Sequence, residues 1–455
     1  DVDRASYSNV RRFLLDGELP PKDAVRIEEM VNYFSYDYPE PRGEHPFSVT
    51  TEVGDAPWAP GHRLLRIGVH SPRVQTDRLP PSNLVFLIDV SGSMESPDKL
   101  PLVKQSLRML VDQLRPQDRV ALVVYAGAAG LVLPSTPGSQ RGRILDALER
   151  LEAGGSTAGG AGLRLAYQVA RENHIPGGNN RVILATDGDF NVGVSSDAEM
   201  TRLVEEKRGQ GTFLTVLGFG TGNLKDSKME QMADHGNGNY AYIDNLLEAR
   251  KTLVSEMGGT LLTVAKDVKL QVEFNPARVK AYRLIGYENR MLASEDFNDD
   301  RKDAGELGAG HSVTALYEIV PVGADADGAV RTVDPLRYQA PSRPAAGAAT
   351  GGRELAFVKV RYKRPAEEQS RLMQQPVLDR SGAPSRDLSF AAAVAGFGML
   401  LRESENAGTL TPQQVAALAR DSRGEDREGY RAEFVRLVEL FRDLRSAHGA
   451  AEDRR

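Results

Sequence analysis

The chain predicts an α/β protein: a Rossmann-like, doubly wound domain inserted into or flanked by a β-sandwich-like domain, with helical segments at both ends. Three observations carry that expectation. From Asn83 to about Gly259, strand-like apolar runs alternate with amphipathic helical patterns, the arrangement that builds a mainly parallel sheet covered by helices. The runs Leu84–Ile88 and Val182–Ala185 are apolar without alternation, as strands buried on both faces require. On either side of this block the style becomes that of half-buried strands, with Val268, Leu270, Val272 and Phe274 on one side of a polar-apolar alternation.

In chain order, residues 1–46 read as a helical flanking segment. Helices are expected over Ser8–Leu15 and Lys22–Phe34, the second opened by Pro20 and Pro21 and striped by Val25, Ile27, Met30, Val31 and Phe34. Residues 47–80 hold the strands Phe47–Val53 and Leu64–Val69, parted by a turn around Pro57, Pro60 and Gly61. These strands are expected to join the later β domain, which makes the α/β block an insertion. Trp58, the lone tryptophan, reads as a packing anchor where this layer begins.

Residues 81–259 form the α/β domain, with strands at Leu84–Val90, Arg119–Ala126, a short edge piece Leu131–Leu133, Arg181–Thr186, Thr212–Phe219 and Tyr240–Asp244. Helices are expected near Leu100–Leu114, Arg141–Leu151, Gly160–Glu172, Ala198–Arg208, Ser227–Asp234 and Leu246–Met257. Residues 260–365 are β-rich, with strands Leu261–Val264, Val268–Phe274, Tyr282–Ile285, His311–Ile319 and Glu354–Tyr362. Residues 366–455 are a linker and C-terminal helices near Leu388–Glu403, Pro412–Ala419 and Tyr430–Ala447; the stretches 341–353 and 364–386 read as flexible connectors.

Composition narrows the function. A chain of 455 residues is long enough for more than one core. Its 57 basic against 63 acidic residues give a net charge of −6 and no basic field for a phosphate backbone, so nucleic acid is not an expected partner. The absence of cysteine excludes disulfides, thiolate zinc sites, iron–sulfur clusters and cysteine nucleophiles. The longest apolar stretch, Ala121–Leu133, is broken by Gly127 and Gly130 and is too short to cross a bilayer core of ~30 Å as a helix, so no transmembrane span is expected. The opening at Asp1, with neither Met nor a basic-then-apolar run, reads as that of a processed chain.

The chemistry concentrates on three loops. The first α/β strand ends in Asp89-Val90-Ser91-Gly92-Ser93, a glycine-rich loop carries Thr157, and the fourth strand ends in Thr186-Asp187. Open α/β sheets bind ligands at this carboxyl edge. Oxygen donors without imidazole or thiolate suit a hard divalent cation, Mg²⁺, Ca²⁺ or Mn²⁺. Only two of the five candidate ligands, Asp89 and Asp187, are anionic; if both act largely through waters, the ion keeps uncompensated positive charge and an open position that a carboxylate from outside can fill. The glycine-rich loop lacks the Gly-Lys-Ser/Thr ending of a phosphate-binding P-loop. A phosphatase built on Asp89 would want a second aspartate two positions on, where this chain has Ser91. Asp189 and Asn191 read as loop formers.

The constellation resembles the metal-ion-dependent adhesion site of von Willebrand factor type A domains, whose pattern is Asp-x-Ser-x-Ser, then Thr, then Asp. Asp89, Ser91 and Ser93 match the first motif, Thr157, followed by Gly162 and Leu163, the second, and Asp187 the third. The resemblance implies that the serines contact metal directly, the threonine does so in the high-affinity form, and the aspartates act through water. The whole chain is similar to a bacterial group of envelope-associated, often lipid-anchored type A domain proteins. The similarity rests on a leader (Ala5–Phe13, Glu28–Phe34) and a C-terminal domain (Val272–Pro276, Tyr282–Arg290, Gly310–Glu318).

That resemblance implies a non-enzymatic, metal-ion-dependent protein-binding module for adhesion or scaffolding. Its cofactor would be a divalent cation, Mg²⁺ before Ca²⁺ or Mn²⁺, and its partner a protein presenting an Asp or Glu carboxylate. Its place would be the cell envelope, periplasmic or extracellular, with any lipid anchor upstream of residue 1. A metal-assisted phosphoester hydrolase and a purely structural envelope component are the alternatives.

Overall fold

A computed structural model describes residues 3–74, 79–156, 159–188, 197–221, 226–256, 262–287, 297, 304–324, 352–365, 367–379 and 382–452. The leader opens with α1 (Ala5–Leu15), which buries Tyr7, Val10 and Leu14. The helix expected over Lys22–Phe34 is broken: a single 3₁₀ turn at Lys22–Ala24 gives way to extended Val25 and Arg26 before α2 (Ile27–Asn32). Ser6 explains the break. Its hydroxyl accepts the Arg26 N–H at 2.8 Å and donates to the Ala24 carbonyl at 2.6 Å, taking backbone groups that a continuous helix would have used. The antiparallel pair β1 (Ser48–Asp55) and β2 (Arg63–His70) follows.

The α/β block runs β3 (Ser82–Asp89), α3 (Leu100–Asp112), β4 (Arg119–Tyr125), β5 (Ala129–Pro137), α4 (Arg141–Glu149), α5 (Gly159–Glu172), β6 (Asn179–Thr186), α6 (Asp197–Gly209), β7 (Thr212–Phe219), α7 (Asp226–His235), β8 (Tyr240–Ile243) and α8 (Leu246–Arg250). The sheet order is β5-β4-β3-β6-β7-β8, parallel except for β5. Every residue of β3 and β6 is buried, as their unbroken apolar runs require. Alternate residues of β3 feed opposite cores: Leu84, Phe86 and Ile88 pack on one face, Val85 and Leu87 on the other. The edge strand β5 is longer than the expected Leu131–Leu133 because its rim position leaves Leu131 and Val132 exposed, and its Gly and Pro residues hide the pattern.

The helix expected over Leu246–Met257 is α-helical only to Arg250; a π-helical turn continues through Lys251–Ser255, and Met257 lies outside the described residues. Lys251 turns its ammonium onto the Tyr33 carbonyl at 2.8 Å and over the rings of Tyr33 and Tyr430, so the widened turn coincides with a docking contact to the leader.

The β-rich part contains β9 (Thr263–Phe274), β10 (Val279–Leu284), β11 (Gly305–Gly308), β12 (Ser312–Pro321), β13 (Glu354–Lys363) and β14 (Arg371–Leu378). Two four-stranded sheets, β1-β2-β12-β10 and β11-β9-β13-β14, share a core that includes Leu65, Ile67, Ile319, Val358, Val360 and Tyr362. Pairing of β2 with β12, Val69 opposite Val313, joins strands on either side of the α/β block. Two expected strands, Leu261–Val264 and Val268–Phe274, are one strand from Thr263 in which Asp267 adopts a positive φ of 52°; Leu261 lies outside the described residues.

The stretch 364–386 is not merely a connector. It contains β14, an edge strand whose exposed side carries Leu372 and Leu378 beside Gln374 and Pro376, so its sequence shows no clean alternation. Residues 341–351 of the other expected connector lie outside the described residues.

The chain closes with α9 (Arg386–Leu401), α10 (Pro412–Asp421) and α11 (Tyr430–Glu452). These helices pack on the leader in a fourth core built from Tyr7, Met30, Phe34, Trp58, Phe390 and Phe434 among others. Helix α9 is buried on all sides from Phe390 to Leu401, in keeping with its nearly unbroken apolar sequence. Among the described residues no helix is long and apolar enough to cross a membrane.

Candidate metal centre

Strands β3 and β6 lie side by side where the winding of the sheet changes direction, the place at which such sheets open a crevice at their carboxyl ends. Asp89 is the last residue of β3 and is fully buried. Its Oδ1 accepts the backbone N–H of Ser91 at 2.9 Å, which bends the chain back over the strand end. Ser91 and Ser93 then face each other with their hydroxyl oxygens 3.0 Å apart. Two backbone bonds latch the glycine-rich loop to this turn: Gly92 N–H to the Gly155 carbonyl at 3.0 Å, and Gly154 N–H to the Val90 carbonyl at 2.7 Å. Gly155 sits at φ 83°, a conformation that favours glycine.

From β6 come Thr186, whose hydroxyl stands 3.5 Å from Asp89 Oδ2, and the buried Asp187. The structure thus brings Asp89, Ser91, Ser93 and Asp187 to one sheet edge. Thr157, Asp189 and Asn191 lie outside the described residues; Ser156 and Gly159, which flank Thr157, are at this same edge of the α/β domain.

Burial raises the Asp89 carboxyl above its ordinary range and the Asp187 charge adds to the effect, while the Ser91 hydrogen bonds pull the other way. The two carboxylates therefore stand near enough for the Asp187 charge to disfavour that of Asp89. An opposite charge comes from a residue that the motif does not include. Lys99 donates from Nζ to Asp187 Oδ2 at 2.8 Å and to the Ser93 carbonyl at 2.9 Å. It occupies the cap position just before α3, where the helix dipole disfavours a cation. That misplacement in sequence is the signal by which Lys99 could have been singled out.

The donor set fits a hard divalent cation. All four described side chains offer oxygen, and the 3.0 Å between the serine hydroxyls matches one edge of an octahedron. The two hydroxyls hydrogen-bond each other at this distance, which is also the spacing of cis oxygens ~2.1 Å from Mg²⁺. Elsewhere, Asp3, Glu230 and Asp234 bring carboxylate oxygens within 4.8 Å of one another. There Asp3 accepts the Tyr240 N–H at 3.0 Å and Arg26 lies 3.9 Å from Glu230, so this cluster is already engaged in packing the leader.

Comparison with known proteins shows the family. The chain is 47% identical over 447 residues to the uncharacterized protein YfbK of Escherichia coli (strain K12), a match covering 97% of this chain and 76% of that protein. The chain belongs to the YfbK family. Within it, residues 83–256 match the von Willebrand factor type A domain, residues 259–444 the C-terminal region of the uncharacterized protein YfbK, and residues 1–66 a further von Willebrand factor model.

The human inter-alpha-trypsin inhibitor heavy chain H3 is 30% identical over 262 residues, which span 52% of this chain and 28% of that protein. A solved von Willebrand factor type A structure from Catenulispora acidiphila is 16% identical and covers 84% of this chain and 88% of its own, with a TM-score of 0.44. By the family model over residues 83–256, the α/β block of this YfbK relative is a type A domain, a class whose members are mostly interaction modules and often bind a divalent cation.

Proposed function

We propose that this member of the YfbK family is a non-enzymatic protein-binding module of the cell envelope, in which Asp89, Ser91, Ser93, Asp187 and Thr157 hold a divalent cation that takes an Asp or Glu carboxylate of a partner as its last ligand. The observation that carries the reading is the convergence of two buried carboxylates, Asp89 and Asp187, and two serine hydroxyls in mutual contact at the carboxyl end of β3 and β6. When bound, the cation would supply Lewis acidity and an open coordination position. The chain's own residues supply the rest. Ser91 and Ser93 offer neutral oxygens that leave positive charge on the ion, and the turn held by Asp89 fixes their spacing. Envelope placement rests on the resemblance to the envelope-associated group.

Selection of a random-peptide display library on the Mg²⁺-loaded protein tests the reading. Enriched peptides should share an acidic residue whose change to Asn or Gln abolishes binding, and capture should fail with chelator and with Asp89→Ala. Enrichment indifferent to chelator, or peptides without an essential acid, would contradict it.

A further inference from the structure

Lys99 is not among the residues that define a type A metal site, yet its ammonium is the described cation nearest to the candidate ligands. It touches Asp187 Oδ2 at 2.8 Å and the carbonyl of Ser93 at 2.9 Å, and its side chain is only 11% exposed. The lysine is also guided there. Gly220, just beyond β7, adopts φ 77°, and a Cβ at that position would fall 2.4 Å from Lys99 Cε and 2.5 Å from Cγ. The aliphatic stem thus lies in a slot that any side chain at 220 would fill. Gly220 is itself held, because its carbonyl accepts the Tyr242 hydroxyl at 2.9 Å. A surface lysine that happened to reach a carboxylate would need none of this.

We infer that Lys99 is a built-in counter-cation that lowers the affinity of the site for its metal and raises the affinity of the loaded site for an acidic ligand. The inference rests on the function proposed above and adds a determinant of its specificity. The charge balance carries it. Asp89, Asp187 and Lys99 are the buried charged groups described at this edge, and together they are singly negative. A divalent ion turns that to a single positive charge, and one incoming carboxylate brings the site to neutrality. Without the lysine, the two carboxylates neutralise the ion by themselves, and an incoming carboxylate would leave an uncompensated negative charge in a partly buried place. Lysine suits the role because it is a compact point charge on a flexible stem. It can share a carboxylate with an ion where a guanidinium fork would claim both oxygens.

The test uses Mn²⁺ as the metal and acetate as the carboxylate, with wild type, Lys99→Met, Lys99→Gln and Asp89→Ala, each checked by thermal melting. Calorimetry gives Mn²⁺ affinity, and water-proton relaxation of the Mn²⁺-loaded protein follows acetate as it displaces bound water. Lys99→Met keeps the stem over Gly220, and Lys99→Gln keeps a hydrogen-bond donor; both lose the charge. Both should bind Mn²⁺ about tenfold or more tightly than wild type and acetate about tenfold more weakly, a crossed response that loss of packing alone would not give.

Equal Mn²⁺ and acetate constants in wild type and both Lys99 variants would overturn the inference while leaving the proposed function standing, provided Asp89→Ala loses Mn²⁺. Mn²⁺ uptake by the Lys99 variants with none by wild type would also overturn it, because Lys99 would then replace the ion. No uptake by any of the proteins would instead remove the proposed function.

Discussion

Arg11 and Lys99 are both buried cations paired with carboxylates, and the contrast between their surroundings separates what holds this molecule together from what it is built to bind. Arg11 spends every guanidinium nitrogen: Nε on Asp244, one terminal nitrogen on Tyr33 and Glu433, the other on Asp244 and Glu248. These partners come from the leader, the end of the α/β domain and α11, so one fork fastens three segments that are remote in sequence. Lys99 has two polar partners for its ammonium, both at the candidate metal centre, beside a pair of serine hydroxyls that face each other. A saturated fork needs no further ligand. A point charge does not fork onto both oxygens of a carboxylate, so a second cation can share Asp187 with Lys99.

Replacing Arg11 by Met should have the largest effect, a loss of about 3–5 kcal/mol in urea unfolding, because Asp244 and Glu248 are left buried without their counter-charge. Mg²⁺ should restore none of it. A loss under ~1 kcal/mol would break the comparison by showing the fork to be dispensable. Lys99→Met should cost about 2–3 kcal/mol without metal, and saturating Mg²⁺ should close about 1.4 kcal/mol of that gap to wild type, because tenfold tighter binding by the variant adds RT ln 10 to its stabilisation at the same Mg²⁺ concentration. Equal losses with and without metal would erase the distinction between the two cations.

A third group sharpens the contrast by being buried and neutral. Burial, with Arg4 close by, lowers the His311 imidazole to about 4 from its ordinary 6.5. The unfolded chain then takes up the proton first as pH falls. The contribution of His311 to stability is complete above pH ~6.5 and is lost between there and pH ~4, on the order of 3 kcal/mol. Urea midpoints should fall across that window and flatten in His311→Phe; an unchanged slope in that variant would place the titration elsewhere. The smallest effect belongs to a site that touches neither cluster. Thr411 and Gln414 form a reciprocal cap at the start of α10, and Thr411→Ala should cost about 1 kcal/mol with no change in metal response.

The legible parts of the sequence were those in which local pattern and tertiary role coincide. The strands β3 and β6 announce themselves because burial on both faces demands unbroken apolar runs, and Asp89, Ser91, Ser93 and Asp187 are found because each stands at the end of such a strand. Strand β14 was hidden because Leu372 and Leu378 fall on its exposed side and blur the alternation, and its pairing with β13 is a tertiary fact. The break between Lys22 and Ile27 was hidden because Ser6, remote in the chain, supplies the competing hydrogen bonds. Lys99 was hidden for the same kind of reason: its meaning depends on Gly220 and Asp187, which only the folded sheet brings alongside.

Anomalous X-ray scattering from crystals soaked in Mn²⁺ tests the central claim most directly. The account predicts a strong difference peak about 2.2 Å from the hydroxyl oxygens of both Ser91 and Ser93, on the side of Asp89 and Asp187, and its disappearance in Asp89→Ala. A peak instead among Asp3, Glu230 and Asp234, or none at the end of β3 under saturating Mn²⁺, would contradict it.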